Sequence, residues 1–387
     1  MHEESTDESS EEPSDAAVSP PGPRPPGPSR GRRIAAIALS AIGVLIVVVV
    51  VAGFFIHLPY VIISPGSATP LDDSVVTIEG APTYGHEGNV LFLTVRVTPH
   101  DPNLWKYLVA KLDPDKEVVK RENVLGCLSD NDNAAFNTLL MSQSQDDATK
   151  VALERLGYTV TASSPVVTVT TVCPDSPAFG ALHSGDAIVA VDGQPVTANS
   201  SIADLLAIHA PGDAVPVTVN RGGADVTIAA TTGRRVVTPA SGAESGGAGS
   251  ETECVPTRGQ PTGTPCFGIV VQQFVRYEFP IDVNFDIQRV GGPSAGLAFT
   301  LAIIDDLTPG DITGGKRVAV TGAIAADGSV LPVGGVEQKA ITARHNDVDL
   351  MLVPRSELAA ARKGANGLRV VGVDTFDEAL AALQKAG

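Results

Sequence analysis

Residues 34–56 constrain this chain more than any other stretch. They form a run of 23 residues without one charged side chain, and Val44 to Val51 is unbroken aliphatic. At ~1.5 Å per residue a helix of that length covers the ~30 Å hydrocarbon core of a bilayer. A soluble helix would present a polar face, and none can be drawn here. A secretory signal has a shorter apolar region, ~7–15 residues, ending in a small-residue cleavage site. This run is longer and leads into Phe54-Phe55-Ile56, which predicts an uncleaved anchor with the lipid bilayer as its partner. Arg24, Arg30, Arg32 and Arg33 precede it, and no Lys or Arg follows until Arg96. The positive-inside rule then predicts a single-pass protein of the cell membrane, with its N-terminus in the cytoplasm and residues 57–387 outside.

Ahead of the anchor, Glu3, Glu4, Asp7, Glu8, Glu11, Glu12 and Asp15 lie among Ser and Pro, and prolines recur to Pro28. Such a stretch cannot bury enough apolar surface to order itself, so residues 1–33 read as a disordered cytoplasmic tail. The net charge of −17 argues against nucleic acid as a partner, because phosphate contacts need clustered Lys and Arg. Outside the cytoplasm the four cysteines can pair. Cys254 and Cys266 flank a Pro/Gly/Thr loop and Cys127 and Cys173 remain, although four cysteines allow three connectivities. Their spacing does not suit zinc, and neither a metal nor a cofactor is expected.

Residues 57–160 read as an extracytoplasmic α/β region. Val61-Ile62-Ile63, residues 75–78 and residues 90–97 are β-branched runs, and residues 133–156 space their apolar side chains helically. No chemical motif is legible in this region. From 161 to 235 the order of elements resembles a PDZ domain. It is carried by Ser176-Pro177-Ala178, Leu182-His183-Ser184-Gly185-Asp186, and the turn Val191-Asp192-Gly193. The resemblance implies an extended peptide ligand, usually a C-terminus, added to a sheet edge beside a helix. The glycine-rich loop that holds the ligand carboxylate in such domains is not legible. Ala162-Ser163-Ser164-Pro165 stands there. Residues 236–266, rich in Gly, Ser and Ala, read as a flexible linker.

Beyond the linker, Gly291-Gly292-Pro293-Ser294-Ala295-Gly296 places a hydroxyl in a glycine-rich turn ahead of an apolar helix. Backbone N–H groups there could hold an oxyanion or a phosphate. Gly292 to Gly296 satisfies the Gly-x-Ser-x-Gly of a hydrolase elbow, but His345 is the only histidine downstream. Gly310 to Lys316 spaces like a phosphate loop, with Arg317 where Ser or Thr should hold magnesium. A kinase-like glycine/serine loop is disfavoured by the location.

The second half of the pattern is more informative. Thr321-Gly322-Ala323-Ile324, Gly328 through Gly335, and Lys339 one turn into the following helix together resemble the proteolytic domain of Lon-type serine proteases, over residues 267–387. The resemblance implies Ser294 as nucleophile, Lys339 as general base, and Thr321 as the residue that orients the lysine. Gly292, Pro293 and Ala295 would shape the oxyanion and substrate-positioning turn. Ala323 departs from the family, which commonly has Glu there. A lysine serves as a base near neutral pH only if burial disfavours its charge; Val336, Ala340 and Ala343 share its helical face and predict such a setting.

The expected fold class is therefore a multidomain α+β protein with one N-terminal transmembrane helix, a PDZ domain and a C-terminal Lon-type proteolytic domain. The expected activity is ATP-independent serine endopeptidase action on proteins or peptides presented through the PDZ domain. The alternative is a membrane-tethered peptide-binding scaffold whose Lon-like domain no longer cuts. Lon-type domains often form rings, which makes a homo-oligomer compatible, but no subunit interface is legible.

Overall fold

The computed structural model describes residues 30–197, 201–239, 250–257, 262–287 and 290–385. The acidic tail, apart from its last four residues, lies outside them, as do residues 240–249 and 258–261 of the expected linker. The described remainder of that linker departs from the expectation: Gly233–Pro239 pairs antiparallel with Ser250–Val255 and with Pro265–Cys266 in a small sheet of its own. Helix α1 (Arg30–Phe55) covers the apolar run. Its segment Ile37–Phe55 is long and apolar enough to cross a membrane.

Residues 55–387 form a second unit. In chain order its main elements are β1 (Tyr60–Pro70), β2 (Asn89–Val97), β3 (Glu117–Lys120) and the long helix α2 (Asp130–Arg155). Then come β4 (Thr161–Ala162), β5 (Val166–Val172), β6 (Ala187–Val191), α3 (Ile202–Leu206), β7 (Ala214–Arg221) and β8 (Ala224–Thr231). After them follow β9 (Ile269–Phe274), β10 (Tyr277–Glu278), α4 (Gly296–Leu307) and β11 (Arg317–Val320). Last come α5 (Val336–Arg344), β12 (Leu350–Pro354), α6 (Leu358–Ala365), β13 (Val370–Val373) and α7 (Phe376–Gln384).

One six-stranded sheet has the order β13-β12-β11-β2-β1-β3. Strands β13, β12, β11 and β2 run parallel, while β1 is antiparallel to β2 and β3. Parallel strands need a crossover, and α5 and α6 provide two of them. Helices on its faces bury the central strands, which explains the continuous apolar runs at 318–320 and 350–353, all at 1% exposure or less.

Residues 57–160, expected as a region of their own, are half of this sheet. Val90 pairs with Val318 and Phe92 with Val320, so β2 is a central strand of the same layer as β11. The PDZ-like segment interrupts the sequence between two arms of one fold. Pairing across more than two hundred residues leaves no local signal, which is why the hydropathy pattern suggested a separate region.

The interrupting segment has its own sheet, β8-β7-β6-β5-β9, over a core that includes Val169, Leu182, Leu206, Val215, Val217 and Val219. The Gly-Asp of the motif has a structural task. Buried Asp186 accepts two hydrogen bonds from the Arg221 guanidinium, at 2.7 and 2.6 Å, and one from the His183 N–H. Two disulfides join Cys127 to Cys173 and Cys254 to Cys266; of the three possible connectivities this is the one in which Cys254 and Cys266 close the Pro/Gly/Thr loop they flank. The first ties the end of β5 to the segment ahead of α2.

Candidate active site

The turn carrying Ser294 is held from both arms. From the upstream arm, the carbonyl of Asn137 accepts the Gly292 N–H at 2.8 Å, and the Ser144 hydroxyl donates to the Pro293 carbonyl at 3.0 Å. Helix α2 lies so close that a Cβ on Gly296 would stand 2.7 Å from Ser144 Oγ, and on the downstream side it would stand 3.0 Å from the Ile324 backbone nitrogen. From the downstream arm, the Ser294 carbonyl accepts from Gly322 N–H at 3.0 Å and from Thr321 Oγ1 at 3.3 Å. Ser294 itself is half-buried.

Lys339 comes from the first turn of α5. Gly335 starts that helix with φ +68°, and a Cβ there would meet Val95 of β2 at 2.8 Å, so the position requires glycine on both counts. Val336, Ala340 and Ala343 are buried as the helical spacing predicts, and Lys339 is only 2% exposed. Its Nζ donates to Thr321 Oγ1 at 3.1 Å. Thr321 therefore links the lysine to the Ser294 main chain, its own hydroxyl donating a hydrogen bond to the Ser294 carbonyl. Among the described residues the Ser294 hydroxyl forms no hydrogen bond, and a direct Lys339–Ser294 bond is not closed.

Burial pushes the Lys339 ammonium down to about 8, and the carboxylate of Glu357 works weakly against that shift. No motif or spacing in the sequence singles out Glu357. It accepts the Val333 N–H at 2.8 Å, anchoring the segment that leads into α5, and its own carboxyl is raised by burial.

The expected oxyanion set needs one correction. The Gly292 N–H is committed to Asn137, and Pro293 has none to give. Ser294 and Ala295 keep N–H groups that, among the described residues, donate to no protein acceptor. Asn137 and Ser144 went unnoticed in the sequence because they look like surface residues of an ordinary helix. The only hint was the glycine at 296, where something must come close. Ala323 is 6% exposed and pairs with Leu331, so the carboxylate common in the family would here lie desolvated.

The competing readings also meet the structure. His345 is exposed beyond the end of α5, hydrogen-bonded to Arg344, and does not serve Ser294. In the phosphate-loop look-alike, Asp311 has taken the anion's place. It accepts the N–H groups of Gly88, Thr313, Gly314 and Gly315 at 2.8–3.1 Å. Against its partial desolvation, these bonds and the Thr313 hydroxyl hold the carboxyl at about 2.

Residues 154–232 match the PDZ domain family, and residues 268–384 match the Lon protease (S16) C-terminal proteolytic domain. The chain carries a PDZ domain and a Lon-type proteolytic domain. Lon protease 2 of Herpetosiphon aurantiacus is 33% identical over 108 residues, covering 26% of this chain and 13% of that protein. Lon protease of Azospirillum brasilense is 33% identical over 118 residues, covering 30% and 14%. This chain thus spans about an eighth to a seventh of the length of these relatives. The PDZ domain of the SdrC-like protein from Listeria innocua is 23% identical over 28% of this chain and 93% of that one, with a TM-score of 0.20. The Lon-type match contains Ser294, Thr321 and Lys339, while β1, β2, β3 and nearly all of α2 lie upstream of both matched regions.

Proposed function

We propose that this protein is a membrane-anchored serine endopeptidase in which Ser294 is the nucleophile and Lys339 the general base. The observation that carries the reading is the state of Lys339. It is almost fully buried, it forms no ion pair among the described residues, and its pKa falls to about 8. A lysine in that setting can be neutral near physiological pH. Neutral Nζ, held by Thr321, would accept the Ser294 proton as Oγ attacks a peptide carbonyl. The N–H groups of Ser294 and Ala295 would stabilise the oxyanion, and the protonated lysine would return its proton to the leaving amine. Water then hydrolyses the acyl-enzyme.

ATP independence is supported by Asp311, which fills the one stretch spaced like a phosphate loop. The length of the apolar run and the arginines before it support a single span with the catalytic domain outside the cytoplasm. Proteins or peptides are the substrate class that fits a PDZ and a proteolytic domain on one chain. A second reading, an inactive scaffold, draws on one observation: Lys339 bonds Thr321 rather than the Ser294 hydroxyl.

A fluorophosphonate probe separates the two. Labelling of the full chain in detergent is expected, with its loss in both Ser294→Ala and Lys339→Ala. Labelling that persists without Lys339 removes the dyad, and no labelling of the unaltered protein favours the scaffold.

A further inference from the structure

A peptide recognised by β-augmentation adds a strand to a sheet edge, with main-chain hydrogen bonds supplying the affinity. In the PDZ sheet that edge would belong to β5, and it is taken. Strand β9 runs antiparallel along β5, from Ile269 opposite Val172 to Phe274 opposite Val166. Beside β9, a cavity of about 400 Å³ is lined by Ile202, Ala203 and Leu206 of α3, with Phe267. The chain's own strand therefore sits on the edge and near the helix that a peptide ligand would use.

The end of the strand explains the missing glycine-rich loop. A bound C-terminus would finish near the start of β5 and need its carboxylate held there. Here the chain continues, and the backbone carbonyl of Arg276 accepts both the Ser163 N–H, at 2.8 Å, and the Ser163 hydroxyl, at 2.9 Å. One neutral carbonyl needs two donors and not a cradle of N–H groups, so Ala162-Ser163-Ser164-Pro165 suffices. The ladder then extends into β10 paired with β4. A further side-chain bond, from Thr170 Oγ1 to the Val270 carbonyl at 3.1 Å, covers the bulge. The middle of β9 is thinly covered: Val270 is 58% exposed and Val271 38%. Its hold there is mostly main-chain pairing.

We infer that β9 is the PDZ domain's own ligand, bound in cis, and that it closes the β5 edge to peptides from outside until it is released. The occupant is recognised as an extended strand through its backbone, and a terminal carboxylate is not required.

The test uses the full chain in detergent, carrying Ser294→Ala so that no peptide is cut. The probe is a fluorescent synthetic peptide with the sequence of residues 269–276. Backbone N–H groups alternate sides along a strand, so of Gln272→Pro and Gln273→Pro one must remove an amide facing β5. The unaltered strand should leave the probe without saturable binding. At least one proline variant should bind it about tenfold tighter or more, equally with a C-terminal acid or amide. Should the prolines unfold the domain, Ser163→Ala with Thr170→Val should give a smaller gain, about threefold. Equal binding to the unaltered chain and the variants, or none to any variant, overturns the proposal. So does a strong preference for the free acid. None of these readouts depends on Ser294 and Lys339 acting as a dyad.

Discussion

The two stretches that flank the PDZ segment build one sheet, yet they contribute to the site in different ways. The downstream arm supplies the hydroxyl of Ser294, the ammonium of Lys339 and the threonine between them. From the upstream arm, Asn137 and Ser144 grip the Ser294 turn and β2 packs against Gly335. Both arms are equally interior: Val90, Phe92 and Leu93 are 1–2% exposed, and Val318, Ala319 and Val320 are at 0%. Under the proposed mechanism, chemistry and positioning are divided between segments that fold as one layer. Substitutions in the two arms should accordingly fail in different ways.

The largest contrast is expected at Lys339. Lys339→Met removes the proposed base and should lower kcat by roughly 10²–10⁴. It should also stabilise the protein at pH 7. Lowering the pKa from 10.5 to about 8 corresponds to a burial penalty on the order of 3 kcal/mol. The sign follows from proton counting. Between about 8 and 10.5 the unfolded chain binds the proton and the folded one does not, so wild-type stability rises with pH across that window. The advantage of Lys339→Met should therefore be full below pH 8 and fade towards 10.5. Denaturant titrations at pH 7 and pH 10 measure it. A variant that is less stable at both values would show that the ammonium is not the burden described here.

Gly296→Ala tests the contact between the arms. Alanine is the better helix former by ~1 kcal/mol, but its Cβ would meet Ser144 Oγ at 2.7 Å and backbone at 3.0 Å. Overpacking of that kind costs ~1–3 kcal/mol, so the clash should win, lowering Tm together with activity. Adding Ser144→Gly should restore part of the loss. A double-mutant cycle without coupling would mean that α2 does not press on the turn.

Ser144→Ala alone should be milder. The Pro293 carbonyl keeps the Gly296 N–H at 3.2 Å and loses one neutral hydrogen bond, worth ~1 kcal/mol. A severalfold fall in kcat with KM nearly unchanged is expected. A loss confined to Tm would assign Ser144 to stability alone.

These contrasts also mark what the sequence could reveal. Ser294, Thr321 and Lys339 are singled out by the resemblance to Lon-type proteases, whose motifs here follow one another at short range; the structure brings Thr321 to Lys339 and to the Ser294 carbonyl. The burial of Lys339 followed from the alanines on its helical face. Ser144 was not legible: a serine among polar helix residues looks the same whether it meets solvent or a turn 149 positions later. The place of β2 was hidden likewise, since its partner Val318 lies beyond the whole PDZ segment. Ala162-Ser163-Ser164-Pro165 stood out as a departure, and its meaning appeared only with Arg276 beside it.

Glu357 offers the smallest effect and the sharpest test of the downstream arm. Its carboxylate accepts the Val333 N–H, and its charge is the one that raises the Lys339 pKa against burial. Glutamine can accept the same hydrogen bond without the charge, so Glu357→Gln should leave the loop in place. With the counter-charge gone, Lys339 should lose its proton more readily. If Lys339 is the base, activity rises with pH as the lysine becomes neutral, and this alkaline-rising limb should move to lower pH by under ~1 unit. Near pH 7 the variant should then be slightly faster than the wild type. A purely structural role for Glu357 would lower kcat at every pH and leave the limb where it was. A limb that moves upward would mean that the group titrating there is not a lysine facing this carboxylate.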